Sequence, residues 1–567
     1  MDYNKLAELL FPNTDKTPEY YENLYPARDL PEGCKVTRMG PSPTGFIHLG
    51  NLYGAFVDER MAHQSGGTFY LRIEDTDDKR FVEGAVETIV SSLKFFGINF
   101  DEGAVLDEDG NPTEIGSYGP YFQSERGPVY QAFAKSLVEK GLAYPCFLTE
   151  EELAAIRAEQ EAAQETTGIY GKYAEKSRNL TLDEISSNIE KGMPYVIRLR
   201  SDGNLTGELK EDGTPKLRYI TVQDAIRGKV SMPANDQDVI ILKATGIPTY
   251  HFAHVVDDHL MRTTHVVRGE EWLMSLPIHI ELFEKLGFEP PVYCHTAVLM
   301  KIDEETGNKR KLSKRKDPEL SLDYYRKEGY HPQAVKEYLL TILNSNFEEW
   351  RRDNPDTPAD EFAFTTEKMS SGGALFDLNK LRDISKDVLL KIPAEELADF
   401  LVEWAREFKP AAADLLGGSD EAKAYLTKIL DLGRQDKKPR KDLVYASQIF
   451  DFISYFYDKY FVIREQIPEE VSDEDAAEIL RRYEAGYDHS DDQSAWFDKI
   501  REIAVDMGYA AKPKDYKKHP EDYKGHVGHV STVIRIALMG RSQSPDLWSI
   551  QQILGEERTR ARIKALI

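Results

Sequence analysis

Arg38-Met39-Gly40-Pro41-Ser42-Pro43-Thr44-Gly45-Phe46-Ile47-His48-Leu49-Gly50 is the stretch that decides the fold of this 567-residue chain. The run Cys34-Lys35-Val36-Thr37-Arg38 is β-prone, Pro and Gly then force a turn, and Leu52, Phe56 and Met61 recur at helical spacing. A strand, a tight turn and a helix start follow from that order. A helix start offers unpaired N–H groups and a partial positive charge, so a phosphate fits there. Gly45 and Gly50 have no side chain to block its approach, and His48 adds a donor. By itself the motif reads first as a turn carrying a surface histidine.

A second stretch, Lys311-Leu312-Ser313-Lys314-Arg315, changes the weight of the first. Two mobile ammonium groups and a hydroxyl suit the charge that develops on a triphosphate as pyrophosphate leaves. In isolation it would read as a solvated basic loop. Paired, the two stretches form the halves of one ATP-handling site.

Together they resemble the signatures of class I aminoacyl-tRNA synthetases, and further residues narrow the resemblance to bacterial glutamyl-tRNA synthetases. Those residues are Leu71-Arg72-Ile73-Glu74-Asp75-Thr76-Asp77, Gly119 to Arg126, Pro248-Thr249-Tyr250, Val255-Val256-Asp257-Asp258-His259 and Val267-Arg268-Gly269-Glu270-Glu271-Trp272. The resemblance runs along nearly the whole chain. It implies a mechanism in two steps, glutamyl-adenylate formation from ATP and then transfer to the 2′-hydroxyl of the terminal tRNA ribose. It also implies that tRNA must be bound before activation begins.

The resemblance assigns His48, Lys311, Ser313 and Lys314 to catalysis, and Pro41, Ser42, Thr44, Gly45, His48, Gly50 and Lys314 to ATP. Arg38, Ser42, Glu74, Tyr250 and Arg268 are assigned to glutamate. The chemistry fits, because a strand-end carboxylate can pair with the substrate ammonium and a guanidinium fork can grip a carboxylate through two parallel hydrogen bonds. The bland alternatives are a strand-end salt bridge of Glu74 with Arg72 or Lys79, which the motif outweighs, and a core aromatic at Tyr250. Glutaminyl enzymes of the same fold typically read Pro-Glu-Pro-Asn-Gly and Asp-Asp-Thr-Asn in place of Pro41 to Gly45 and Glu74 to Asp77, and lack an arginine at position 268. A buried arginine facing a neutral amide would be left unpaired at a cost of several kcal/mol by order of magnitude, so glutamate is expected. Asn51 stands where the first signature often has a second histidine, and Lys301 to Arg310 looks like a lengthened hairpin leading into the lysine loop.

Composition excludes other classes. Hydrophobic residues at 41% and charged residues at 30% are values of a globular chain, and no apolar run approaches a membrane span. A cytoplasmic enzyme is expected from an N-terminus without a basic region and apolar core. Cys34, Cys146 and Cys294 are too scattered for a disulfide framework or a zinc knuckle, so no zinc is expected. Asp75, Asp77, Asp78, Asp257, Asp258 and His259 are expected to cap loops and pair with basic residues, leaving metal ligands at none and Mg2+ to arrive with ATP. The net charge of -26 does not exclude tRNA, since a basic track on an acidic enzyme suffices. Candidate tracks are Lys309 to Lys316, Lys437 to Lys441, Lys512 to Lys518, and Arg558, Arg560 and Arg562; each alone also reads as a solvated face.

The fold class expected is α/β, a Rossmann-type parallel-sheet catalytic domain split by an α+β insertion and followed by an all-helical C-terminal anticodon-binding region. An extension occupies 1–34, with a short amphipathic helix at Leu6, Leu9, Leu10 and Phe11. The first catalytic half is 35–100, with the strand Thr68 to Ile73 and a helix Val82 to Phe96; the acceptor-binding insertion is 101–238. The second half, 239–318, is read as resuming the sheet at Val239 to Lys243, with a Ser275-capped helix ending at Gly287. A stem-contact region spans 319–389 and the helical domain 390–567. The expected partners are tRNA(Glu), glutamate and ATP, without a membrane and as a monomer. Analogy with extended bacterial members adds tRNA(Gln) as a second acceptor. A shorter tRNA-base-modifying relative would lack residues 330–567, a small-molecule adenylyltransferase would ignore tRNA, and a non-catalytic paralogue would have lost His48, Glu74 or Lys314.

Overall fold

The computed structural model describes all residues except 78–81 and divides into two compact units. One comprises Met1–Leu322 with Lys336–Asp377; the other comprises Asp323–Val335 with Leu378–Ile567. The readings made for Asp78 and Lys79 lie outside the described residues.

The first unit is built on the expected parallel sheet. Val36–Met39 pairs in parallel with Thr68–Leu71, which pairs in parallel with Glu102–Leu106; Pro112–Ile115 closes that edge antiparallel. The sheet therefore runs on past residue 100. On the other flank of Val36–Met39 the Thr264 N–H donates to the Val36 carbonyl at 2.9 Å, leading into His265–Gly269, which pairs in parallel with Val292–Thr296. The chain thus builds outward from Val36–Met39 in both directions, and the crevice at such a reversal is where doubly wound sheets bind ligands. All four residues of Val36–Met39 and of Thr68–Leu71 are buried, as expected for strands covered on both faces.

Leu49–Gln64 is buried nearly all round, with Leu52, Phe56, Val57 and Met61 packed inside. The second helix is shorter than the apolar pattern suggested. It spans Ala85–Phe95 after Gly84 and ends before Gly97, whose φ of 81° is the left-handed conformation glycine tolerates. Leu276–Leu286 ends at Gly287, φ 78°, but Ser275 makes no capping hydrogen bond. The 3₁₀ turn Glu270–Ser275 feeds straight into that helix and holds Ser275 in a helical conformation, which corrects the expected serine cap.

A second correction concerns Ile240–Leu242. It does not rejoin the catalytic sheet; it pairs antiparallel with Val196–Leu199, which pairs antiparallel with Ala143–Cys146. An apolar triplet fits any buried strand, so its partner could not be read locally. The N-terminal helix Tyr3–Leu10 buries Leu6, Ala7 and Leu10 in the same apolar cluster as Val129, Tyr130 and Phe133, and Lys135 fixes the following loop through the Thr14 carbonyl at 3.1 Å. The expected hairpin is present, with Leu299–Ile302 paired antiparallel to Lys309–Lys311.

The second unit is helical throughout among its described elements, with Leu401, Ile429, Ile449, Ile479, Ile500 and Ile534 in one core. Ala394–Phe408 matches the apolar spacing end to end, whereas the stretch read as one helix from Val444 to Tyr460 is the helix Ala446–Ile453 followed by two 3₁₀ turns. The terminal arginines are committed inside the unit: Arg558 donates to the Phe456 carbonyl at 2.9 Å, Arg560 pairs with Glu484 and Glu556, and Arg562 pairs with Asp458. They are neither a solvated face nor a free basic track. Lys437, Lys438, Lys512, Lys514, Lys517 and Lys518 remain exposed.

Candidate active site

A cleft of about 520 Å³ opens beyond the C-terminal ends of Val36–Met39 and His265–Gly269. It brings together Arg38, Pro41, Ser42, His48, Gly50, Glu74, Tyr250, Arg268 and Lys311. Thr44, Gly45, Ser313 and Lys314 lie outside its lining.

One wall is a lattice of buried charge. Arg72, fully buried, donates to Asp258 Oδ1 at 2.7 Å and to Glu74 Oε1 at 3.0 Å; Arg38 donates to the same Asp258 oxygen at 3.3 Å. Beside it Asp257 accepts from Arg126 at 2.7 Å, Tyr130 at 2.7 Å and Gln123 at 2.8 Å. Asp257 and Asp258 are therefore ion-pair partners, His259 shares a hydrogen bond with Glu22 at 2.6 Å, and Asp75 caps Ser124 at 2.8 Å. Buried charges survive only when compensated in this way. Burial pushes the Glu74 carboxyl above its ordinary pKa, against the opposing pull of Arg72 and Arg38. Its place is fixed from below by Gly40, because a Cβ there would sit 2.3 Å from Glu74 Oε1.

Arg268 stands opposite and is held differently. Its Nε donates to His295 Nε2 at 3.0 Å and its Nη1 to His279 Nδ1 at 3.0 Å, while its guanidinium lies 4.6 Å from the centre of the Tyr293 ring. Nη2 is buried without a hydrogen-bond partner. Tyr250 opens the helix Tyr250–Leu260 and packs against Trp272, ring centres 4.5 Å apart, with its body forming cleft wall.

At the other end His48 is the N-cap of Leu49–Gln64. Its Nδ1 accepts from the Asn51 N–H at 3.2 Å, and its own N–H donates to Asn51 Oδ1 at 3.0 Å, a reciprocal capping box. Accepting at Nδ1 leaves the proton on Nε2 of the neutral ring, and burial, with Lys311 and Lys314 nearby, holds the histidine below its ordinary pKa against the pull of Glu271. His48 is thus a neutral donor. Gly50 has a role besides leaving room for phosphate: a Cβ at that position would meet the His48 ring at 3.0 Å. Asn51, which departed from the signature, is the partner that orients His48; an N-cap followed three residues later by an amide was the signal available in the sequence.

The lysine loop is anchored at its ends and open at its tip. Arg310 makes a fork to Asp317 at 2.6 and 2.8 Å, and Asp317 accepts the Ser313 N–H at 2.8 Å. Arg310 draws the Asp317 carboxyl down to about 2, with burial opposing the shift. Lys314 is exposed and rests its Nζ 3.8 Å over the Phe46 ring, itself 6.0 Å from the His48 ring. Residues that sequence reasoning missed in this cleft include Asn51, Asp58, Gln123, Glu271 and Trp272. Among the described residues, His519, Glu521 and Asp522 are the group close enough to share a metal ion, and all three are exposed surface residues. No helix among them is long and apolar enough to cross a membrane.

Residues 35–382 match the family model of class I tRNA synthetase (E and Q) catalytic domains, and residues 395–567 match that of an anticodon binding domain. A glutamate–tRNA ligase of Acetivibrio thermocellus is 61% identical with each chain fully covered, and one of Clostridium perfringens strain SM101 is 48% identical, also over the full length of both. The crystal structure of the glutamate–tRNA synthetase from Elizabethkingia anophelis superposes with a TM-score of 0.71 at 28% identity, covering 94% of this chain and 99% of that one. The cleft geometry and these similarities agree, and the chain belongs to the glutamyl-tRNA synthetase family of class I aminoacyl-tRNA synthetases.

Proposed function

We propose that this chain joins L-glutamate to the 3′ end of tRNA(Glu) by way of a glutamyl-adenylate, releasing AMP and pyrophosphate. The observation that carries the reading is Arg268. Of the two arginines that line the cleft among the described residues, Arg38 is paired with Asp258, whereas Arg268 makes no ion pair among those residues and keeps Nη2 unfilled. A side-chain carboxylate satisfies that donor and its charge together. A neutral amide leaves the charge uncompensated at a cost of several kcal/mol by order of magnitude.

In this reading Glu74 holds the substrate ammonium, with Arg38, Ser42 and Tyr250 completing the glutamate site. The α-carboxylate attacks the α-phosphate of ATP, which enters with Mg2+ held by its own oxygens and water. His48 donates from Nε2 at the helix start, and Pro41, Thr44, Gly45 and Gly50 line the nucleotide path. Lys311, Ser313 and Lys314 supply positive charge as pyrophosphate departs. Positioning and charge stabilisation carry both steps, so no covalent protein nucleophile is needed. The insertion receives the tRNA acceptor end, and the helical unit reads the anticodon. The exposed lysines at 437–438 and 512–518 are its candidate phosphate contacts. A cytoplasmic monomer without zinc, dependent on tRNA for activation and accepting tRNA(Gln) as well as tRNA(Glu), completes the proposal.

Charging purified tRNAs with labelled glutamate tests it. Glutamate on both acceptors, with pyrophosphate exchange dependent on tRNA, is the expected result. Glutamate on tRNA(Glu) alone would remove the second acceptor. Tight tRNA-independent exchange would favour a small-molecule adenylyltransferase.

A further inference from the structure

The arginines of the charge lattice are each held by carboxylates: Arg38 and Arg72 by Asp258, Arg72 also by Glu74, and Arg126 by Asp257. Arg268 is held by imidazoles. A guanidinium has only donors, so both contacting nitrogens, His295 Nε2 and His279 Nδ1, must be acceptors. That requirement fixes the protons. His295 carries its hydrogen on Nδ1 and donates it to Asp224 Oδ2 at 2.7 Å, while His279 carries its hydrogen on Nε2 and donates to His251 Nδ1 at 3.0 Å. A run of hydrogen bonds thus passes behind the cleft from Asp224 through His295, Arg268 and His279 to His251, and Arg268 is its member that lines the cleft. Both histidines are fully buried, and burial holds each below its ordinary pKa.

We propose that His279 and His295 are positioning and specificity-determining residues: they fill Nε and Nη1 of Arg268 with neutral acceptors, aiming the guanidinium while leaving its positive charge uncancelled for an anionic substrate side chain. This rests on the proposed glutamate reading and adds the device behind its selectivity. A carboxylate in either place would aim the guanidinium equally well and neutralise it. Asp224 acts one step removed. It fixes the His295 tautomer, and its other contacts, the N–H groups of Ile226 and Arg227 at 2.9 Å each, fix Asp224 in turn. The other groups facing Arg268 are Tyr250, Tyr293 and His254, none of them anionic in the arrangement described, with Asp258 directed to Arg38 and Arg72 through one oxygen and to His254 Nδ1 through the other at 2.8 Å.

The test contrasts two variants of equal shape at one position, assayed on the full-length enzyme with its tRNA. His279→Asn keeps a neutral acceptor near the place of Nδ1; His279→Asp puts a charge there. The expected result is a glutamate KM within about fivefold of the parent for His279→Asn and raised at least thirtyfold for His279→Asp. The ATP KM should stay within threefold in both. As a second pair, His295→Gln reaches the position of Nε2 and should keep most glutamate affinity, whereas the shorter His295→Asn should lose at least tenfold. Equal glutamate KM for the two members of each pair would overturn the proposal, as would parallel losses for glutamate and ATP, which mark general disruption. Should a His279 variant be insoluble, the His295 pair decides by the same criterion. A parent enzyme that charges no glutamate would instead overturn the functional reading itself, independently of this inference.

Discussion

The amino-acid end of the cleft and the lysine loop are built on opposite plans. Arg72 and Arg38 are buried and ion-paired with the buried Asp258 before substrate arrives, whereas Lys314 is exposed and lies against the Phe46 ring. The first plan meets the cost of ordering charge during folding, so glutamate finds a site with fixed geometry. The second leaves its cation free to follow a leaving group whose charge appears only in the transition state. Changes at the two ends should therefore separate kinetically, with binding of glutamate sensitive at one end and the chemical step at the other.

The sharpest separation should come from Arg268→Gln. Removing the uncompensated guanidinium should lower kcat/KM for glutamate by roughly a thousandfold, equivalent to about 4 kcal/mol, with the ATP KM little changed. Steady-state charging at varied glutamate measures this. A loss shared equally between glutamate and ATP would erase the contrast between the two ends.

How much of this was readable beforehand follows the range of the interactions. The strand, turn and helix from Cys34 to Met61 were legible because Pro, Gly and helical apolar spacing act locally. The helix Ala394–Phe408 was legible end to end for the same reason. Ile240–Leu242 was assigned to the wrong sheet, since an apolar triplet does not name its neighbour across a sheet, and the role of His279 and His295 was not legible at all. Those two are 11 and 27 residues from Arg268 in sequence, and only the three-dimensional contact, together with the donor-only character of arginine, assigns their protons. Arg558, Arg560 and Arg562 looked like a basic track because charge is visible in sequence and its internal partners Glu484 and Asp458 are not.

At the loop, Lys314→Ala should lower glutamate activation by about two orders of magnitude and leave tRNA binding nearly intact, because its contribution is confined to the transition state. Pyrophosphate exchange and filter binding provide the two readouts. Equal loss of both would make Lys314 chiefly an RNA contact.

Gly40→Ala probes the fixed end more gently. The added methyl would meet Glu74 Oε1 at 2.3 Å, so the carboxylate must swing away and strain its 3.0 Å bond to Arg72. A rise of about tenfold in the glutamate KM is expected, with kcat less affected, since one hydrogen bond to a charged group is worth about 1.5 kcal/mol. An unchanged KM would mean that Glu74 does not need its observed position to bind the substrate ammonium.

The smallest effect should come from Phe46→Leu, and its sign is the informative part. Lys314 over the Phe46 ring is a cation–π contact, worth about 0.5–1 kcal/mol at an exposed position. To stabilise departing pyrophosphate the ammonium must leave that ring, so the contact favours the substrate-free loop and opposes the loaded one. Leucine preserves apolar bulk near His48 but offers no π face, which frees Lys314 without removing it. The rate of glutamate activation should rise about two- to fivefold, the same free energy expressed at the transition state, while the KM values for ATP and glutamate stay constant. A slower activation would instead mean that the ring holds Lys314 in its working position, and the lysine loop would then be as preorganised as the amino-acid end.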